Sequence, residues 1–203
     1  MPQRKKKIST LLDVKTLQNE IVRFEPFEKS HTDLLLSSTA IDELWRWMPA
    51  GRKGSGAHSY VDDILQQSDA GYMTTYTLFR KSDDAFAGFA AFSDIDPFHR
   101  QIRICFAWHP NDLWNEIFPS AHMLLIQRAH DWQAKRLSWH VSPNNAAAMS
   151  AMTFLGATQE ARLRYYIRTG DGRWSDIIVF SMLRDEMRQA VTRLKKRISD
   201  RLS

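Results

Sequence analysis

Apolar residues change their spacing several times along this chain, and each change marks an element. Over residues 21–27 they alternate with charged ones, which predicts a first strand, and the basic segment before it reads as a loose arm. Residues 31–38 carry a helical pattern. A further helix runs through Leu44, Trp45, Trp47 and Met48 and stops before Pro49, because the residue preceding proline is pushed out of the α region. Residues 51–58, with three glycines, form a loop, and a helix follows over 60–67. Strands are predicted over 73–80 and 85–95, joined by a polar turn, and over 101–108.

From Pro119 the period becomes helical, with proline at the first helical position and Met123, Leu124, Ile126, Ala129 and Trp132 on a broad buried stripe. A strand over 137–141 leads to a helix opened by Pro143-Asn144-Asn145 and ended at Gly156, where the missing Cβ permits a left-handed residue. Two more strands, 163–168 and 175–182, flank the Gly170-Asp171-Gly172 turn. Helices interleaved in this order with a mixed set of strands predict an α+β fold. After residue 183, Met187, Val191, Leu194, Ile198 and Leu202 recur at helical spacing between basic residues. This amphipathic helix is expected to dock on the body or on a second copy as a homodimer; its narrow stripe without aromatics does not suit a membrane.

Composition narrows the class. With 203 residues and a 43% hydrophobic fraction, the chain can bury a sizeable core as one domain. The first ten residues are basic without an apolar stretch behind them, which argues against a secretory signal. A single cysteine, Cys105, excludes a disulfide framework and a multi-cysteine metal centre and fits a reducing, cytoplasmic setting. The net charge of +5 is unevenly spread. Arg4, Lys5, Lys6 and Lys7 give one end +4, residues 184–203 give +4, and the body between carries −3. Basic tails can hold an anionic partner such as RNA or a ribosome, or simply be solvated.

Several motifs follow one another without a break in spacing. They are Ala107-Trp108-His109-Pro110, Ser142-Pro143-Asn144-Asn145, Phe154-Leu155-Gly156-Ala157, Arg162-Leu163-Arg164, Asp176 and Phe180-Ser181-Met182-Leu183-Arg184. Their order resembles the C-terminal half of GNAT-type acyl-CoA N-acyltransferases, the ribosomal-protein acetyltransferase subgroup in particular. The resemblance implies a mixed, mostly antiparallel sheet, splayed between two strands and flanked by helices. It implies a basic arm over 1–20, a transferase domain over 21–188 and an appended helix over 189–203. It further implies acetyl-CoA as cosubstrate and direct attack of a neutral primary amine, such as a protein N-terminus, on the thioester. A base, an oxyanion donor and an acid for the thiolate assist that attack.

On this resemblance the cosubstrate is expected along Ala107, Trp108, His109, Trp114, Asn115, Ile117, Phe118, Ser120 and Asn145, with its pyrophosphate on backbone N–H groups at a helix N-terminus. Trp45 and Trp47 fall in the acceptor region, and Asn145 and Tyr166 are the catalytic candidates. Asn145 also reads as a plain helix cap. Departures from the family pattern are specific. The glycine loop falls on Asn111, Trp114 and Glu116, where an indole hinders close approach and a carboxylate repels a diphosphate by about 1 kcal/mol. Arg103 stands where Glu is frequent, Cys105 where Gly is, and Ala148 where Ser is. These changes leave open an alternative, a GNAT scaffold that binds or regulates without turnover. His99, His109, His122 and His140 have no metal-ligand spacing and read as structural, and Cys105 reads as buried and inert.

Overall fold

A computed structural model describes residues 12–37, 57–108, 114–169 and 172–202. Eight strands form one sheet: β1 (Leu17–Gln18), β2 (Val22–Pro26), β3 (Met73–Arg80), β4 (Phe86–Asp96), β5 (Gln101–Trp108), β6 (Arg136–Val141), β7 (Thr158–Arg168) and β8 (Trp174–Leu183). Among the described residues a short 3-10 helix (Lys29–His31) and five α-helices accompany them: α1 (Thr32–Ser37), α2 (Ala57–Asp69), α3 (Trp114–Asp131), α4 (Ala146–Leu155) and α5 (Arg184–Leu202). The sheet order is β1-β2-β3-β4-β5-β6-β8-β7. All neighbours are antiparallel except β5 and β6, which α3 joins as a parallel pair.

Alternation of burial shows how the layers form. On β6, Leu137, Trp139 and Val141 are buried while Arg136, Ser138 and His140 are partly exposed. The buried set meets Ile117, Ala121, Leu125 and Ile126 of α3, and Met187, Val191 and Leu194 of α5, in the main core. Spacing of three and four residues puts the α5 set on one face, so this helix packs against α3 as its pattern predicts. The opposite face of the sheet carries a smaller cluster, in which Val61 of α2 and Phe89 of β4 meet Leu34 and Leu36 of α1. No helix among the described residues is long and apolar enough to cross a membrane.

Three elements differ from expectation for identifiable reasons. The helix expected to start at Pro119 starts at Trp114. Ile117 and Phe118 are almost wholly buried, and that burial carries the helix upstream through the proline, which withholds only the N–H that would reach the Asn115 carbonyl. Strand β7 begins at Thr158 because its polar first residues lie on an exposed sheet edge and need only the β8 ladder. The segment expected as a loose arm is packed from Leu12 onward: Leu12 and Leu17 are buried, and the Arg128 guanidinium bonds to the backbone and carboxylate of Asp13. The expected helix before Pro49 lies outside the described residues.

Candidate functional site

The parallel pair β5 and β6 is joined at three positions, Gln101↔Arg136, Ile102↔Leu137 and Arg103↔Ser138. Beyond them β5 continues to Trp108 along β4, and β6 continues to Val141 along β8, so each strand stays with its outer neighbour while the two part from each other. Their facing backbone groups are left unpaired by the ladder and line a cleft that can receive an extended chain. Cys105 supports the divergence. It is the extra residue of a bulge, since Ala91 pairs with Phe106 and Phe92 with Ile104, and bulges bend a strand and increase its twist.

After β5 the chain enters α3, and after β6 it enters α4, so both helix starts follow the strand ends that part. The N–H groups of Trp114, Asn115 and Glu116 precede the first intrahelical bond, which the Ile117 N–H makes, and with the helix dipole they suit an anion. Phe118 and Ser120 fall in the second turn, where their N–H groups serve the helix. Their side chains are buried, with Phe118 stacked on His122 at 4.0 Å and edge-on to Phe154 at 5.7 Å. Phe118 therefore fills the α3–α4 interface and does not line the cleft. On the facing side, Asn145 caps α4 by accepting the Ala148 N–H at 3.0 Å, which leaves its amide N–H₂ for a ligand. Gly156 ends this helix at φ 77°.

On the sheet face that α1 and α2 cover over β4, a polar cluster forms around the parting point. Arg103 reaches from β5 to His140 on β6, Nη1 to Nδ1 2.8 Å, and its Nε lies 2.8 Å from the Asp94 carboxylate on β4. Desolvation and the neighbouring guanidinium both hold the His140 imidazole below its ordinary range. The Tyr166 ring stands edge-on to His140 at 5.5 Å. It comes within reach because β7 bulges over residues 164–166, where Tyr165 adopts φ 51° and donates its N–H to Asp176 at 2.9 Å. Arg162 grips the same carboxylate through Nε at 2.7 Å. The strand expected over 163–168 is thus irregular at Tyr165 and Tyr166.

Cys105, expected to be buried, is half-buried; desolvation pushes its thiol up to about 11 and its sulfur lies 3.5 Å from the Ala91 carbonyl, so the thiolate that a nucleophile needs is scarce at neutral pH. Ala107 and Trp108 lie at the free end of β5. His109, Asn111, Trp45 and Trp47 lie outside the described residues. A groove of about 630 Å³ lies elsewhere, between α4 and α5, with Phe154, Arg193 and Arg197 in its walls. Sequence reasoning missed the Asp94–Arg103–His140 chain and the Asp176 support. The shared alternation of Arg103 and Cys105 with Ser138 and His140 on adjacent strands was the available signal.

A mixed sheet parted between two parallel strands, with a helix N-terminus at the opening, defines the GNAT class of scaffold. The chain belongs to that family: the acetyltransferase (GNAT) domain matches residues 22–158. Among solved structures, a GCN5-related N-acetyltransferase from Brucella melitensis superposes with a TM-score of 0.77 at 20% identity, covering 91% of this chain and 85% of that one. RimJ of Mycobacterium smegmatis, solved in complex with CoA-disulfide, gives 0.73 at 19% identity, with 91% and 94% covered. Ribosomal-protein-S5-alanine acetyltransferase from Vibrio fischeri gives 0.67 at 16%, with 84% and 97% covered. No curated protein sequence matches the chain. The family transfers acetyl groups and uses acetyl-CoA as donor.

Proposed function

We propose that this protein transfers an acetyl group from acetyl-CoA to a primary amine, with a protein N-terminal α-amine as the favoured acceptor. The observation that carries the reading is the end of the β5–β6 ladder at Arg103↔Ser138, after which β5 leads on to the α3 terminus and β6 to the Asn145 cap. The free edges of β5 and β6 suit the pantetheine arm, the first-turn N–H groups of α3 suit the pyrophosphate, and a β5 N–H suits the developing oxyanion. The acceptor amine attacks the thioester carbonyl, the C–N bond forms, the C–S bond breaks, and the amine's proton leaves to solvent.

The α-amine preference follows from the residues around the cleft. Arg103 is bound to Asp94 and His140, so this cluster offers no free carboxylate as base. An α-amine with pKa about 8 is roughly a tenth neutral at pH 7, whereas a lysine amine near 10.4 is neutral about once in 2,500. Titration calorimetry with acetyl-CoA and CoA tests the reading, together with CoA release on an N-terminal peptide panel. No binding at millimolar ligand would overturn it.

A second reading, a scaffold that binds without turnover, is favoured by one observation: a guanidinium ion-paired with Asp94 and bonded to His140 stands where β5 and β6 part. CoA release with any amine would exclude it.

A further inference from the structure

An arginine side chain has only donors, so the Arg103 Nη1 to His140 Nδ1 contact at 2.8 Å can be a hydrogen bond in one sense alone: Nδ1 accepts, and the imidazole proton sits on Nε2. The arrangement reverses the one that makes a histidine basic, in which a carboxylate behind the ring accepts from it and stabilises the imidazolium. Here a cation stands behind the ring. Asp94 holds that cation in place from β4, and its own backbone, at φ 49°, lies in an irregular stretch of the β4–β5 ladder.

We propose that Arg103 is a positioning residue that fixes His140 as a neutral Nε2–H donor at the point where β5 and β6 part. The cleft thereby offers its acceptor a hydrogen-bond donor where a base would otherwise stand, and it selects amines that arrive already neutral. This rests on the acyltransferase reading and narrows its substrate class to amines of low pKa. The groups that face His140 agree with it. Asp94 from β4 is spent on Arg103, Arg136 on β6 itself is paired with Glu160, β7 contributes the Tyr166 ring, and β8 presents the apolar Val179 opposite. Burial and the two guanidiniums disfavour the imidazolium, with Asp94 opposing them.

Two measurements on the full chain test the proposal. Nitrogen-15 NMR of the histidines is expected to show the Nε2–H tautomer at His140 and a protonation that sets in at lower pH than that of an ordinary imidazole of pKa about 6.5. The Nδ1–H tautomer, or ordinary titration, would overturn it. R103M is expected to release the tautomer and raise the titration toward the ordinary value, and R103K, which keeps a donor, to preserve the wild-type signature. If R103M fails to fold, the wild-type spectrum alone decides.

The second measurement is kcat/KM against pH for acceptors of different amine pKa. Its rising limb is expected to move with the amine, and an α-amine to exceed a comparable lysine amine by roughly 200-fold at pH 7. A limb fixed near pH 6.5 for every acceptor would make His140 a base and overturn the proposal. Absence of turnover with all amines would overturn the acyltransferase reading and the selectivity that rests on it, while the spectrum would still report the Arg103–His140 bond.

Discussion

Arg103 and Ser138 form the last backbone pair between β5 and β6, and the Arg103 side chain then spans the opening to His140. The two strands are thus tied at one point by the ladder and just above it by a side chain, while their far ends stay with β4 and β8. Cys105, the bulged residue next to this tie, shares its surroundings and offers a direct probe of them.

Alkylation of Cys105 reports the burial of the parting point. With its thiol pushed up to about 11 from 9.0, the folded protein holds about 100-fold less thiolate at pH 8 than the unfolded chain. Iodoacetamide is expected to label the half-buried native thiol about that much more slowly at pH 8, with a rate that keeps rising with pH beyond 9. A native rate equal to that in denaturant would mean the bulge is open.

The Tyr165–Asp176 bond gives a second test. A left-handed tyrosine is unfavourable, and the carboxylate that receives its N–H, held in turn by Arg162, keeps the bulge in place. D176N is expected to lower kcat/KM between about 10- and 100-fold through misplacement of Tyr166. Y166F, which keeps the ring against His140, is expected to lose less than Y166A. Equal losses in the two Tyr166 variants would show that the hydroxyl acts and the ring does not.

Local pattern carried much of the fold, and its failures fall where tertiary contacts overrode it. Strands 73–80 and 101–108 coincide with β3 and β5: β5 alternates in burial from Gln101 to Cys105, and β3, buried without a break from Thr74 to Leu78, is a short run of threonine, aromatic and aliphatic residues. Pro119 misled because a proline signal is local, whereas the burial of Ile117 and Phe118 is not. For the site, Asn145 was legible as a cap, which is a matter of neighbours in sequence. The Arg103–His140 bond joins residues 37 apart and depends on a parallel pairing that no single strand announces. The Tyr165 bulge was hidden for the same reason, since it exists only in register with Asp176.

Glu116 sits at the third residue of α3, where its charge and that of a bound diphosphate compete for one helix dipole. E116Q is expected to change two quantities in opposite directions. Loss of the favourable charge at the helix start should lower stability by about 0.3–1 kcal/mol. Removal of the repulsion should strengthen CoA binding by about 1 kcal/mol, roughly fivefold. Urea denaturation and calorimetry on the same preparation measure both, and weaker CoA binding in E116Q would mean that the diphosphate lies elsewhere.

Glu160 links three strands, accepting from Arg136 of β6 at 2.7 Å and from Ser181 of β8 at 2.7 Å. The Arg136 guanidinium, with help from Ser181, holds its carboxyl at about 2 against 4.5. A depressed carboxylate contributes stability that is present above its unfolded pKa and lost as pH falls through the folded one. The difference in Tm between wild type and E160Q should therefore be full at pH 6, shrink below about 4.5 and vanish near 2. Because the pair is partly solvated, added salt should reduce it as well. A difference unchanged from pH 6 to 3 would mean that the carboxylate charge contributes nothing.

Asn145 makes two claims on one side chain, and different substitutions separate them. Its Oδ1 accepts the Ala148 N–H at the start of α4, while its N–H₂ is free to donate across the cleft. N145A removes both and should cost about 1 kcal/mol of stability, as the loss of a helix cap does. N145D keeps the acceptor, which caps a helix as well as asparagine does, but replaces the donor by a second acceptor oxygen. If the amide donates to a pantetheine carbonyl, N145D should hold wild-type stability yet bind acetyl-CoA about tenfold more weakly, the loss of one buried hydrogen bond. Unchanged affinity in a stable N145D would make Asn145 a cap alone and move the search for the pantetheine contact to the free edge of β6.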